Sequence, residues 1–172
     1  MTIWTIGHGM RPLDELTSML VDVGARTLVD VRRYPGSRRN PQFNQPELCR
    51  AVEDSGVAYR HAVELGGRLS NEPGEDEFDC IRVAAFRSYA ARMRTEEWQR
   101  ALAAAVEEPA PCFMCSETPW WRCHRRLIAE VLHARGEKVV HLMAPGRAAE
   151  HEPWSIADAR NGRLFLCDQL VA

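Results

Sequence analysis

The segment that decides the fold spans residues 111–143 and reads PCFMCSETPWWRCHRRLIAEVLHARGEKVVHLM. It begins with PCFMCS (residues 111–116), a predicted buried strand, and passes through a short loop into a predicted helix over residues 123–136. It ends with a second predicted strand, KVVHLM, over residues 138–143. Parallel strands need a crossover connection, usually a helix, so this strand–helix–strand order predicts a parallel sheet.

The same alternation continues outward through the rest of the chain. Residues 12–24 carry apolar side chains at helical spacing and stop at a glycine, and TLVDVR (residues 27–32) is a short, nearly continuous apolar run typical of a buried strand. The remaining predicted strands are residues 2–7 and 57–63, and the remaining predicted helices are residues 46–56, 78–94 and 95–107, the last capped by Thr95.

These elements predict an α/β fold with a mostly parallel five-stranded sheet and helices on both faces. We expect residues 1–172 to form a single domain, with residues 144–172 as a C-terminal tail packing on it. Within the tail, RLFLCDQL (residues 163–170) is predicted to be an edge strand or a short helix. The sequence leaves the oligomeric state open.

Composition limits the class of protein. The chain is 45% hydrophobic and 27% charged, which is typical of a soluble globular protein. We expect no membrane partner, because there is no apolar run of 18 residues, and a cytoplasmic location, because the N-terminus lacks a secretory pattern. In a reducing compartment, the six cysteines are expected to be thiols or metal ligands.

Arginines dominate the basic residues and are unevenly placed. Lys138 is the single lysine among 22 basic residues, and a coding bias is the plain explanation of that count. Placement is more informative, because Arg side chains crowd residues 32–39 and residues 122–126. Arg guanidinium groups match phosphate and carboxylate oxygens bidentately, so a local basic surface is expected on a chain whose formal net charge is −2.

Reactive side chains follow the predicted strands at the point where each strand ends. In parallel α/β sheets, the ligand crevice lies beyond the carboxyl ends of the strands. The residues at these ends, in chain order, are His8; Arg32, Arg33, Arg38 and Arg39; Glu64, Gly66, Gly67 and Arg68; and Cys115, Glu117, Cys123 and His124. This coincidence is the main argument from the residues for an enzyme or small-molecule site.

Four stretches resemble one family when they are taken together and in order. They are TIGHG (residues 5–9), LVDVRRYPGSRRNPQF, YRHAVELGGR, and the CSE…CHRRLIAEVL stretch followed by VVHL. This combination resembles the domain-of-unknown-function 488 family of small prokaryotic proteins, over residue 3 to about residue 143. The family usually reads TIGHS, so Gly9 departs from its pattern.

The resemblance implies an α/β fold and a shared site, and some family members are labelled as related to DNA repair. The site that it implies contains His8, Asp30, Arg32, Glu117, Cys123, His124 and Arg125. The family carries no assigned activity, so the chemistry has to come from the residues.

Three kinds of catalytic group are candidates. Glu117, just past a strand and before two tryptophans, is expected to be partly desolvated and to act as acid, base or nucleophile, with an N-glycosidic bond as one candidate target. His8 and His124 are candidate acid–base groups. Cys123 is a candidate thiolate nucleophile, because it lies near a helix N-terminus beside arginines. The structural alternatives are a capping carboxylate, a satisfied histidine and a packed cysteine.

The candidate ligand-binding residues are those whose side chains or backbone amides suit phosphate or a base. Arginines interleaved with aromatic residues are typical of phosphate and nucleic-acid sites, and tryptophan can stack on a base. The predicted set is Asp30, Arg32, Arg33, Ser37, Arg38, Arg39, Gly66, Gly67, Arg68, Trp120, Trp121 and Arg125. Within it, Asp30 is expected to pair with Arg32 or Arg125, and Gly66-Gly67 to offer backbone amides.

No cofactor is predicted, and zinc held by Cys112, Cys115, Cys123 and His124 is the alternative. Alternation along a strand argues against it, because Cys112 and Cys115 should point to opposite faces of the sheet. Three hypotheses stay open at this point. They are an enzyme, a hydrolase or transferase, acting on a nucleotide or nucleic acid; a non-catalytic binder of nucleic acid or an anion; and thiolate or zinc chemistry at Cys115 and Cys123.

Overall fold

The structure is a computed structural model that describes residues 1–172. Five helices alternate with strands along the first 144 residues, and short antiparallel strands follow. The strands are β1 (Thr2–Gly7), β2 (Thr27–Asp30), β3 (Ala58–His61), β4 (Pro111–Cys115), β5 (Lys138–Ala144), β6 (Arg147–Glu150), β7 (Ala157–Arg160), β8 (Arg163–Leu166) and β9 (Gln169–Leu170). The helices are α1 (Leu13–Asp22), α2 (Gln45–Asp54), α3 (Ala84–Met93), α4 (Glu96–Val106) and α5 (Arg125–Ala134).

The main sheet has six strands in the order β3-β2-β4-β1-β5-β6. Five of them are parallel, as the sequence predicts, and β6 is added antiparallel to β5. The predicted count of five was therefore one strand short. The missed strand comes from RAAE, whose four side chains are all exposed, so it carries no apolar pattern that would mark a strand.

Two apolar cores cover the two faces of this sheet. One core packs α3, α4 and α5, and the other packs α1 and α2. Cys112 belongs to the second core and Cys115 to the first, which confirms that β4 alternates its side chains between the faces. All five residues of β4 are buried, as expected for a central strand covered on both sides.

The helical region before β4 differs from the prediction at its start. Helix α3 begins at Ala84 rather than at residue 78, and residues 75–78 form a separate 3-10 turn whose Phe78 is fully buried. The predicted cap of α4 is confirmed, because the Thr95 hydroxyl accepts a hydrogen bond from the backbone N–H of Trp98 at 3.3 Å.

The C-terminal tail forms a small antiparallel sheet, β7-β8-β9, that packs on α5. Leu164 and Leu166 of β8 join the core beside α5. RLFLCDQL therefore forms two strands, β8 and β9, joined by a turn, and β8 is the central strand of the small sheet rather than an edge strand or a helix. A disulfide links Cys167 to Cys80. The expectation that all six cysteines are thiols or ligands was therefore wrong for this pair, which only the fold brings together across 87 residues. No helix is long and apolar enough to span a membrane.

Candidate functional site

A cleft with two connected chambers opens beyond the carboxyl ends of β1, β2 and β4. The inner chamber is about 200 Å³ and the outer one about 470 Å³. Arg32, Tyr34, Arg68, Ser116 and Glu117 line both chambers. The predicted site thus assembles where the topology of a parallel sheet places it.

Asp30 and Arg32 form a buried ion pair beneath the cleft. The Arg32 guanidinium donates to both Asp30 oxygens, with Nε–Oδ1 at 2.8 Å and Nη2–Oδ2 at 2.6 Å, and the Tyr59 hydroxyl donates to Oδ2 at 2.7 Å. Arg32 also donates to the carbonyl of Phe43 at 2.8 Å. Its donors are therefore committed inside the protein, so Arg32 positions the loop that follows β2 rather than offering a free phosphate contact.

Four exposed arginines surround the cleft without any acidic partner. Arg33 and Arg122 line the inner chamber, Arg39 lines the outer one, and Arg68 lines both. Arg38 is exposed and lines neither chamber. Ser37 lines the outer chamber, but its hydroxyl accepts the backbone N–H of Asn40 at 3.1 Å and so stabilises its own loop.

Gly66 and Gly67 let the loop after β3 approach its neighbours closely. A Cβ on Gly66 would lie 2.8 Å from the Cβ of Arg33, and one on Gly67 would lie 2.7 Å from Nδ1 of His124. Close packing therefore requires both glycines, and the anion-binding turn stays a prediction. The next residue, Arg68, has a left-handed backbone with φ of 59°. A non-glycine residue held there is strained by about 1–3 kcal/mol, and such strain clusters at functional sites.

Cys115 and Cys123 lie together on the wall of the inner chamber, above the buried guanidinium of Arg125. Arg125 donates from Nε to Cys115 Sγ at 2.9 Å and from Nη1 to the Thr5 hydroxyl at 3.1 Å, and its Nη2 donates to the carbonyl of Glu117. It is 1% exposed and does not line the cleft. The predicted phosphate contact by Arg125 is therefore replaced by contacts to thiols and the backbone.

The environment of Cys123 favours its thiolate. Burial alone would raise its pKa, but the hydrogen bond with Cys115 and the charge and backbone N–H of Arg125 outweigh burial and lower the pKa from 9.0 to about 7. Burial, together with the same hydrogen bond, raises the pKa of Cys115 well above its ordinary value. The thiolate is therefore favoured on Cys123, and Cys115 stays protonated.

His124 contacts the same thiol. Its Nε2 lies 3.1 Å from the carbonyl of Val31 and its Nδ1 lies 3.4 Å from Cys123 Sγ. Nε2 must carry the proton to donate to a carbonyl, so Nδ1 presents a lone pair to the thiol. Burial lowers the pKa of His124, which keeps the ring neutral and able to accept the proton of Cys123.

His8 lines the outer chamber but is held by its surroundings. Its ring stacks on Phe43 at 4.3 Å, Nδ1 donates to the Gly9 carbonyl at 2.9 Å, and Nε2 lies 3.4 Å from Nη1 of Arg32. Burial, opposed by the Gly9 hydrogen bond and aided by Arg32, lowers the pKa of His8 to about 4. His8 is therefore neutral at neutral pH, with both ring nitrogens facing protein groups.

Glu117 and the two tryptophans lie differently from the sequence expectation. Glu117 is exposed where the chambers meet, so the expected desolvation by neighbouring indoles is absent. Trp120 stacks on His141 at 4.1 Å, behind the cleft, and Trp121 is 46% exposed without lining either chamber. The exposed aromatic side chain at the cleft is Tyr34, which is 62% exposed, whereas Phe86 lines the inner chamber with only 9% exposure.

The zinc alternative lacks a ligand set. No group of three or more His, Cys, Asp or Glu side chains is placed to hold one metal ion. Cys112 lies in the core on the other face of the sheet from Cys115, so the four candidate ligands do not meet.

Several lining residues were missing from the predicted site. Tyr34 and Arg122 stand in stretches that the sequence already marks as rich in arginine, and Ser116 follows a strand end, so those patterns could have identified them. Ala85 and Phe86 come from α3, far along the chain, and no local pattern connects them to the site.

Comparison with known proteins gives one match. Residues 12–132 match the family model described as Domain of unknown function DUF488, which confirms the resemblance seen in the motifs. No curated protein and no solved structure matches the chain.

Proposed function

The chain belongs to the DUF488 family, and we propose that it is an enzyme that binds a nucleotide or nucleic-acid substrate by its phosphates in the arginine-lined cleft. The observation that carries this proposal is the set of four exposed arginines without acidic partners, which converge on one cleft. They are Arg33, Arg39, Arg68 and Arg122.

Arginines outside the cleft are of two kinds. Arg60 pairs with Glu108 at 2.6 Å and Arg94 pairs with Glu77 at 2.9 Å, whereas Arg38 has no acidic partner. What distinguishes the cleft is that four arginines without acidic partners converge on it, while Glu117 is its one lining carboxylate, in a protein whose formal net charge is −2. An anion with several oxygens, such as phosphate, satisfies guanidinium forks and supplies the missing charge.

The aromatic residue at the cleft favours a nucleotide over inorganic phosphate. Tyr34 lines both chambers and exposes most of its ring, so a base can stack on it while arginines hold the phosphate. The outer chamber, at about 470 Å³, is within the roughly 300–1,000 Å³ that small-molecule sites need, and the inner one, at about 200 Å³, is smaller.

For the chemical step we propose a hydrolase or transferase reaction, with DNA repair or modified-base processing as the setting that the family resemblance suggests. Glu117 stands where the chambers join, so a bound ligand would lie directly against its carboxylate. It is our candidate acid–base group, including for an N-glycosidic bond. Glu117→Gln should abolish turnover and leave binding within about twofold.

A non-catalytic binding protein is the second candidate. The observation that favours it is the state of Glu117 and His8, two of the three predicted acid–base groups, in the free protein. Glu117 is exposed, and His8 faces Arg32 and Gly9 rather than open solvent. On this alternative, nucleic acid binds with the same salt dependence and is released unchanged.

The test is fluorescence anisotropy with a labelled single-stranded oligonucleotide over a salt series. Four phosphate contacts predict a slope of log K against log salt near −3, so affinity should fall roughly 50-fold between about 50 and 200 mM salt. Arg68→Gln should weaken binding and reduce the loss to roughly 20-fold. The matched control is Arg100→Gln, an exposed arginine on α4 that pairs with Glu96.

The control variant should bind like the wild type. Equal binding by the Arg68 and Arg100 variants, or affinity independent of salt, would overturn the phosphate site. Binding with no change in any nucleotide, nucleoside or oligonucleotide screened by mass spectrometry would favour the second candidate.

A further inference from the structure

Arg125 is a buried cation with no carboxylate partner. Its guanidinium contacts Cys115, the Thr5 hydroxyl and the carbonyls of Glu117 and Thr118. A buried charge without a counter-charge is costly, often by several kcal/mol, unless a neighbouring group supplies the opposite charge. The only ionisable groups among its contacts are the thiols of Cys115 and Cys123.

These two thiols also face a ligand-accessible space. Both line the inner chamber, and both contact Arg125, Cys115 through the guanidinium Nε at 2.9 Å and Cys123 through the backbone N–H at 3.5 Å. Arg33, Arg68 and Arg122 line the same chamber. A packed structural cysteine has neither a chamber in front of it nor a buried cation shared with a second thiol. The two remaining free cysteines, Cys49 and Cys112, line neither chamber.

We propose that Cys123 and Cys115 form a catalytic dithiol that reduces anionic disulfides, with Cys123 as the attacking thiolate and Cys115 as the resolving thiol. Arg125 stabilises the negative charge from below, and the arginines of the cleft attract the anionic substrate from above.

The reaction balances as two exchanges. The Cys123 thiolate attacks one sulfur of the substrate disulfide, which breaks the S–S bond, forms a mixed disulfide and releases the first half as a thiolate. Cys115 gives its proton to His124 or water and attacks the sulfur of Cys123, which releases the second half and forms a Cys115–Cys123 disulfide. The dithiol loses two electrons and the substrate gains them. An external dithiol returns the pair to the reduced state.

Cys123 suits the attacking role for a geometric reason. It precedes α5, where the backbone N–H of Arg125 lies 3.5 Å from its sulfur and Nδ1 of His124 lies 3.4 Å away. At pH 7 about half of such a thiol is ionised, whereas only a small fraction of an ordinary cysteine is. Its thiolate is less nucleophilic because it is less basic, so the net expectation is a reaction roughly 5- to 10-fold faster than that of an ordinary cysteine at pH 7.

The dithiol chemistry does not depend on the proposed nucleotide substrate, whereas the preference for an anionic disulfide rests on the same arginines as the proposed function.

The probe is 5,5′-dithiobis(2-nitrobenzoate), a dianionic disulfide that releases a coloured thiolate. The background is Cys49→Ser, which removes the one free cysteine that is partly exposed. Cys112 is buried with its pKa raised by burial to about 12, and Cys80 and Cys167 are bonded, so none of the three should react rapidly.

In this background we expect a fast release of two coloured thiolates per chain, no probe left on the protein, and a rate that rises with a midpoint near pH 7. Cys115→Ser should release one and keep a stable mixed disulfide on Cys123, and Cys123→Ser should lose the fast phase. Peptide mapping of the background protein should find the Cys115–Cys123 disulfide, which tests the proposal even if a variant fails to fold.

A rate midpoint near pH 9, or a mapped product without that disulfide, would overturn the dithiol. The anion preference is tested with neutral 2-hydroxyethyl disulfide. Arg68→Gln should slow the anionic probe several-fold and leave the neutral one unchanged. If Arg68→Gln slows the anionic and the neutral probe equally, the preference for anions is refuted and the dithiol is not. If the oligonucleotide does not bind, only the proposed nucleotide substrate is refuted.

Discussion

The substitution Asp30→Asn tests the ion pair that supports the cleft. Asp30 is fully buried and accepts five hydrogen bonds, four of them from Arg32 and one from Tyr59. Asparagine keeps the shape but removes the negative charge, and it places an N–H₂ group against other donors. Arg32 is 5% exposed, so it is left as a buried cation without a counter-charge.

Breaking a buried pair in this way costs about 3–5 kcal/mol of the free energy of unfolding, a large part of the 5–15 kcal/mol typical of a domain. Urea unfolding followed by circular dichroism measures it, with unchanged dependence on urea as the sign that the unfolded state is the same. The second variant, Asp30→Asn with Arg32→Met, removes the stranded cation and should recover at least about 1–2 kcal/mol. A loss below about 1 kcal/mol for Asp30→Asn, or a double variant no more stable than the single one, would refute the reasoning.

Three further predictions concern the cleft, the tail and the pH dependence. Gly67→Ala should displace the ring of His124, because Nδ1 of that ring would lie 2.7 Å from the new Cβ. The reaction of the neighbouring Cys123 thiol with iodoacetamide should then slow at least severalfold. An unchanged rate would contradict the packing argument. Replacing Cys80 and Cys167 with serine should lower unfolding free energy by about 2–5 kcal/mol, measured as a lower melting temperature that adding a reductant does not lower further. Because burial lowers the pKa of His8 from 6.5 to about 4, its neutral form contributes stability that is full above about pH 6.5 and is lost as the pH falls toward 4. Urea titrations should therefore find that the free energy of unfolding falls between pH 6.5 and pH 4 by up to about 3 kcal/mol less in His8→Asn than in the wild type. An equal fall in the two proteins would show that His8 is not the group that titrates.

The strands and the edge on which the site lies could be predicted because local patterns encode them. The apolar run TLVDVR is buried as β2, and the reactive residues that follow β1, β2 and β4 meet at one edge, since parallel strands end there together. The pairing of Asp30 with Arg32 was one of two partners expected, and their separation of two residues along the chain made it accessible to local reasoning.

The roles within the site could not be predicted so well, because burial and orientation depend on distant elements. Arg68 follows β3 and Arg125 follows β4, so these two residues of the same type lie at the same edge of the sheet. One is buried under two thiols and the other is exposed on the cleft. The tryptophan pair likewise stands next to the site in sequence, but Trp120 stacks on His141 behind it.

The sequence by itself determined the α/β class, the order of strands and helices, and the edge of the sheet where polar residues collect. Periodicity and strand-end position are local properties, so they survive without tertiary contacts. Only the tertiary structure decided which arginines lack an acidic partner, that Cys115 and Cys123 both contact Arg125, and that Cys80 bonds to Cys167. Charge pairing, desolvation and sulfur–sulfur distance are set by residues far apart along the chain, which meet only when the core has formed.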